Sequence, residues 1–405
     1  MRGSHLLVIV CSVFIAAGCA TTKVQPKVSA KLPVNKNVKV PNDTQLTVYI
    51  PKSAQESRFF SSAMRRWITP GRDVTSGTSE VLNNYFSQVQ PYQVDANQSF
   101  GLLLALHPDI KVSDGNMTLT MRYRLYDGQG TELLKGEQVQ KESMQAVIGG
   151  VGFYNAAVKS TQQLVVKLLN TLQPNAEKYS PTGLTSAIAK DKLAYMTEAT
   201  KTGTGFFINE QGQLVTAAHV LRDCLVVKAE TSNSSELATE LHQSALLDIS
   251  VLSSNLTPAA VLPIRAGEEI TLGEPLVNVG YPLQGVLSQT PNLTRGNISA
   301  AAGLNGSKGH FQFSAPIQPG NSGGPLVSDS GQLLGMTVST LNSSYLIEKG
   351  VVPQNVNFAL DRQYISKFLT KHQVPFTVAA VDHNGNFKKG NDAALNSVVK
   401  LSCYE

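Results

Sequence analysis

Ser322 lies in Pro319-Gly320-Asn321-Ser322-Gly323-Gly324-Pro325-Leu326, a hydroxyl enclosed by glycines. Glycine tolerates the backbone angles of a tight turn and lets main-chain N–H groups approach a reacting carbonyl without obstruction. A serine hydroxyl is a poor nucleophile until a base takes its proton. That base, a histidine, works best when a carboxylate holds its second ring nitrogen. The chemistry such a set would do is attack on an acyl carbon, with N–H groups of the turn receiving the charge that develops on oxygen.

Seven histidines are available as the base. His5 falls in the N-terminal apolar segment and His107 precedes Pro108. His242, His310, His372 and His383 have no motif around them. His219 ends Leu214-Val215-Thr216-Ala217-Ala218-His219, where a strand runs into small residues that leave room for an imidazole. Asp223 is too close in sequence to fold back onto that ring. Asp248, followed by Ile249-Ser250-Val251-Leu252, opens an apolar strand, where a carboxylate is costly to bury unless it is hydrogen-bonded. A histidine N–H would supply such a bond and fix the tautomer.

These stretches together resemble trypsin-like serine peptidases of the bacterial HtrA/Deg type. Gly203-Thr204-Gly205-Phe206-Phe207-Ile208 resembles that branch's opening strand. Thr216–His219, Asp248–Leu252 and Gly320–Pro325 resemble its histidine, aspartate and nucleophile motifs. Gly280-Tyr281-Pro282, Thr294–Ser299 and Asn357–Leu360 match further strands, so the resemblance covers about residues 200–370. It implies a chymotrypsin-like double β-barrel, and peptide hydrolysis by Ser322, His219 and Asp248 through an acyl-enzyme. The backbone N–H groups of Gly320 and Ser322 would form the oxyanion hole. Ile317, Val338, Ser339 and Thr340 would lie beside a protein or peptide substrate. Gly320-Asn321-Ser322-Gly323-Gly324 also fits a G-x-S-x-G nucleophile elbow, but the order His, Asp, Ser and the scarcity of long helices argue against that fold. Asn321 replaces the aspartate that digestive trypsins pair with a newly cut N-terminus, which argues against activation by that route. The alternative function is a catalytically silent, peptidase-like lipoprotein that acts by binding.

The elements that must position these groups read as short apolar runs separated by Gly, Pro and Asn turns from Thr202 to Leu360, mostly β in texture. Asp361 is placed to cap a helix carrying Tyr364, Ile365, Phe368 and Leu369. Residues 199–372 are taken as the peptidase domain. Residues 373–405 are taken as a C-terminal tail, too short for a peptide-recognition (PDZ) domain. Residues 43–174 read as a small α+β domain of unassigned role and partner. There Ser79 would cap a helix, Phe100–Leu106 would be a buried strand, and Met117–Leu125 alternates as a half-buried one. Gly149-Gly150-Val151-Gly152 reads as a loop, and residues 175–198 as a linker.

Residues 1–18 have one arginine and an apolar run too short to span a bilayer, ending at Ala16-Ala17-Gly18-Cys19. This resembles the lipobox of bacterial lipoproteins, which implies cleavage before Cys19, lipidation of its thiol and membrane attachment. Ala20, where Asp would resemble a retention signal, favours the outer membrane. Residues 19–42, with five lysines and three prolines, form a basic tether. Lys+Arg 34 against Asp+Glu 29 leaves a charge of +5, with no concentrated patch to argue for nucleic acid. There is no CxxC and no His/Cys cluster, so neither metal nor cofactor is expected. Cys224 and Cys403 could pair in an oxidising compartment or remain two buried thiols.

Overall fold

The structure, a computed structural model, describes residues 44–61, 65–94, 96, 98–113, 116–143, 147, 151–172, 179, 188–267, 270–282, 290–340 and 355–405. Cys19 and the tether lie outside the described residues. The chain forms two compact units. Residues 1–50 with 54–186 make the first, and 51–53 with 187–405 make the second. Among the described residues no helix is long and apolar enough to cross a membrane.

In the first unit, β1 (Gln45–Tyr49), β4 (Gln88–Pro91), β5 (Leu102–Ser113), β6 (Asn116–Asp127) and β7 (Glu132–Ser143) form a sheet in the order β4-β1-β5-β6-β7. A separate hairpin pairs β2 (Phe59–Ser61) with β3 (Arg66–Ile68). The alternation along β6 buries Met117, Leu119, Met121, Tyr123 and Leu125 on one face, against α1 (Pro70–Tyr85) and α2 (Gly152–Thr171). Two expectations need correction. Ser79 lies inside α1, which begins at Pro70, a residue whose fixed φ suits a first helical turn. The glycines Gly71 and Gly77 disguise that start. A Cβ at Gly71 would lie 2.2 Å from the Ala54 carbonyl oxygen, so close packing selected glycine within the helix. The strand expected over Phe100–Leu106 is β5 and continues to Ser113. Pro108 is tolerated there because β1 pairs only as far as Ala105, leaving that side of β5 open at the proline.

The second unit holds two rings of six strands. The first closes in the order β10-β11-β12-β9-β8-β21. Its strands are β8 (Lys201–Phe207), β9 (Gln213–Thr216), β10 (Val226–Glu230), β11 (Ser235–Ser244), β12 (Ile249–Ser253) and β21 (Val398–Tyr404). The second runs β17-β14-β15-β16-β19-β18 and closes by pairing β17 with β18, with β13 (Ile264–Arg265) appended to β18 and β20 (Val378–Ala379) to β13. Its strands are β14 (Pro275–Gly280), β15 (Asn292–Ala300), β16 (His310–Phe313), β17 (Pro325–Ser328), β18 (Leu333–Thr340) and β19 (Asn357–Asp361). This is the chymotrypsin-like double barrel. Helix α4 (Arg362–Lys371) begins where expected, the Asp361 carboxylate accepting from the Gln363 N–H.

The region expected to be a tail is instead structural. It carries β20, then α5 (Phe387–Ser397), and ends in β21, which inserts between β8 and β10 and closes the first barrel. Val399 and Leu401 are fully buried, worth about 1.5–3 kcal/mol each. Cys403 on β21 is disulfide-bonded to Cys224, with Cα atoms 5.3 Å apart and a sequence separation of 179. A cross-link over so long a stretch restricts the unfolded chain, so Cys403→Ser is expected to cost about 2–4 kcal/mol. Urea unfolding reads this directly. An unchanged midpoint would mean that strand pairing alone holds β21.

Candidate active site

His219 stands on a single helical turn, α3 (Ala218–Leu221), that directly follows β9. Asp248 immediately precedes β12, the strand paired with β9, so neighbouring strand ends bring the two side chains together. The Asp248 carboxylate takes two bonds from one residue. His219 Nδ1 lies 2.6 Å from Oδ2, and the His219 backbone N–H donates to Oδ1 at 2.8 Å. The Asp248 carbonyl accepts from the Ala218 N–H at 3.2 Å. Asp248 adopts φ 52, a left-handed conformation that Asp tolerates better than most residues. The imidazole therefore has a fixed orientation, with Nδ1 engaged and Nε2 left for chemistry. His310 lies within electrostatic reach of Asp248. Burial holds its pKa below the usual imidazole value, and the Asp248 charge partly offsets that.

Ser322 lies on the turn leading into β17. Three N–H groups of this turn are engaged: Asn321 donates to the Gln318 carbonyl (3.0 Å), Gly323 to Thr337 (2.8 Å) and Gly324 to Asn321 (2.9 Å). Those of Gly320 and Ser322 donate to no backbone carbonyl among the described residues. These are the two N–H groups that the sequence reading named. Its glycines are required by contact as well as by angle. Gly323 has φ +82, and a Cβ there would lie 2.2 Å from the Thr204 carbonyl oxygen. At Gly320, with φ +105, a Cβ would lie 2.3 Å from the Tyr281 carbonyl oxygen.

The Ser322 hydroxyl donates to the Val338 carbonyl at 3.4 Å and makes no hydrogen bond to His219. Val338, on β18, is thereby placed beside the serine. Ile317 precedes the turn and packs against the second barrel's apolar core. Ser339 and Thr340 follow Val338 on β18, and their side chains lie outside the described residues. Among the described residues no group of three His, Cys, Asp or Glu could hold a metal ion.

Sequence reasoning missed three polar residues behind the turn. Thr204, fully buried on β8, donates through Oγ1 to the Gly320 carbonyl at 2.7 Å and accepts from the Tyr281 N–H at 3.0 Å. Its own N–H donates to the Ser322 carbonyl at 2.9 Å. Asn321, 2% exposed, donates to Asn278 Oδ1 at 2.8 Å, and Asn278 donates to Thr337 Oγ1 at 2.7 Å. A signal was present. Asn278 interrupts the apolar run Leu276–Val279, and a buried amide must find partners.

The trypsin-like peptidase domain family matches residues 203–336. The serine endoprotease DegS of Escherichia coli (strain K12) is 31% identical over 176 residues, covering 42% of this chain and 47% of that protein. A serine protease HtrA-like protein of Staphylococcus aureus (strain USA300) is 27% identical over 252 residues, covering 56% of this chain and 30% of its own length. The uncharacterized protein y4bJ of Sinorhizobium fredii is 37% identical over 212 residues, 52% of this chain and 33% of that protein. The chain thus spans less than half the length of each of these relatives. Residues 203–336 match a trypsin-like peptidase domain, and the chain is homologous over part of its length to the DegS and HtrA serine proteases.

Proposed function

We propose that the chain is a serine endopeptidase that cleaves proteins of the bacterial envelope. The observation that carries this reading is the turn at Ser322, where the N–H groups of Gly320 and Ser322 donate to no backbone carbonyl among the described residues. The lock of His219 onto Asp248 supports it. In the proposed cycle the Ser322 hydroxyl leaves the Val338 carbonyl, turns to His219 Nε2 and gives up its proton as Oγ bonds to the substrate carbonyl carbon. The Gly320 and Ser322 N–H groups bind the resulting oxyanion. Collapse breaks the C–N bond while His219 protonates the leaving amine. Water, deprotonated by His219, then adds to the acyl carbon, and the bond to Oγ breaks as His219 returns the proton to Ser322. Asp248 stabilises the imidazolium throughout.

Ser314-Ala315-Pro316-Ile317 offers no acidic group, and with Val338 beside the serine the site suits a small or medium apolar residue before the cut bond. Hydrolysis of casein and a peptide library by the purified chain, with Ser322→Ala as control, tests the reading. Equal hydrolysis by both would overturn the assignment of Ser322. A profile dominated by Arg or Lys would overturn the pocket. Anchoring through lipidated Cys19, on the outer membrane facing the periplasm, belongs to the same proposal. Palmitate should be incorporated in cells by the chain and not by Cys19→Ser, and equal incorporation would sink that part.

A further inference from the structure

We propose that Thr204 and Asn278 are positioning residues that hold the Ser322 turn from within. This rests on the reading of Ser322 as nucleophile and assigns to two unremarked side chains the task of keeping its N–H groups aimed outward. One clamp holds a backbone carbonyl of the turn and the other holds the Asn321 side chain. Thr204 Oγ1 holds the Gly320 carbonyl at 2.7 Å and is fixed from behind by the Tyr281 N–H at 3.0 Å. The Asn278 amide spans from Asn321 Nδ2 (2.8 Å) to Thr337 Oγ1 (2.7 Å) and so ties the residue before the serine to β18. Thr204, Asn278 and Thr337 are all fully buried, and Asn321 nearly so. Such bonds are not exchanged with water, and an unpaired partner would carry its full desolvation cost. The Gly320–Asn321 peptide is thus held at both ends, its carbonyl by Thr204 and its N–H by Gln318. Neither clamp uses a terminal amine or a charge, so the turn is held without an N-terminal cut.

The test compares full-length wild type, Thr204→Val, Thr204→Ser and Asn278→Leu by kcat, KM and the rate of fluorophosphonate labelling. Thr204→Val keeps shape and removes the bridging hydroxyl. It is expected to lower kcat and labelling by about 10²-fold, the scale of losing one oxyanion donor, with KM little changed. Thr204→Ser should restore the rate to within a few-fold, which a purely packing role of the γ-methyl would not allow. Asn278→Leu should show the same kcat-weighted loss. It carries the comparison if the valine variant does not fold, and Thr204→Cys does so if neither folds. Ser322-dependent labelling with unchanged rates in the folded variants would overturn the clamp. Labelling that does not depend on Ser322 would overturn the underlying assignment instead.

Discussion

Replacing Ser322 with alanine is expected to lower kcat on a peptide substrate by about 10⁶-fold, the loss typical when the nucleophile of such a triad is removed. The same change should abolish covalent labelling by a fluorophosphonate. The expectation follows from the turn itself. The turn's backbone bonds, through the N–H groups of Asn321, Gly323 and Gly324 and the carbonyls of Asn321, Ser322 and Gly324, do not involve the hydroxyl, so removing Oγ leaves the scaffold intact. Among the described residues the one hydrogen bond lost is the long one to the Val338 carbonyl, and stability should hardly change. A variant that melts as wild type and has lost activity therefore reports chemistry rather than folding. Labelling of Ser322→Ala at the wild-type rate would exclude Ser322 as the nucleophile.

The second large effect is expected from Asp248→Asn, at about 10⁴-fold in kcat. Asp248 receives the His219 backbone N–H on Oδ1 and faces Nδ1 with Oδ2 at 2.6 Å. An asparagine keeps the backbone bond through its carbonyl oxygen and turns its NH₂ toward Nδ1. The imidazole then accepts at Nδ1 and carries its proton on Nε2, where it can no longer take one from Ser322. The ring stays in place in the wrong tautomer, so kcat should fall while KM changes little. A drop confined to KM would mean that Asp248 shapes substrate binding rather than the base. Comparing rates of labelling by a fluorophosphonate gives an independent measure, because that reaction needs the same base.

Much of this site was legible because its chemistry demands particular residues in short stretches. A nucleophilic turn needs glycines where other side chains would meet the Thr204 and Tyr281 carbonyls, so Gly320 and Gly323 mark Ser322 in the primary sequence. Asp361 could be read as a helix cap because capping is a contact between near neighbours, Asp361 with Gln363. The β6 alternation was legible for the same reason, since period two is local. Where the reading failed, the deciding contact was distant. Helix α1 contains glycines that tertiary packing requires and helix propensity disfavours. Strand β11 is largely exposed, so it offered no apolar run to notice.

The C-terminal segment shows the division most sharply. Val399, Leu401 and Cys403 alternate with Lys400 and Ser402, a fair strand signal, yet no local pattern says which sheet will receive it. Its partners are β8 and β10, roughly two hundred residues earlier, and its cysteine finds Cys224 across 179 residues. Residue types and spacing were enough to nominate Ser322, His219 and Asp248 as a proposed nucleophile, base and orienting carboxylate, because each such role needs a specific functional group. Spatial packing alone showed what closes the first barrel and what holds the Ser322 turn. Those depend on backbone hydrogen bonds and buried amides whose partners become neighbours only when distant strands close into barrels.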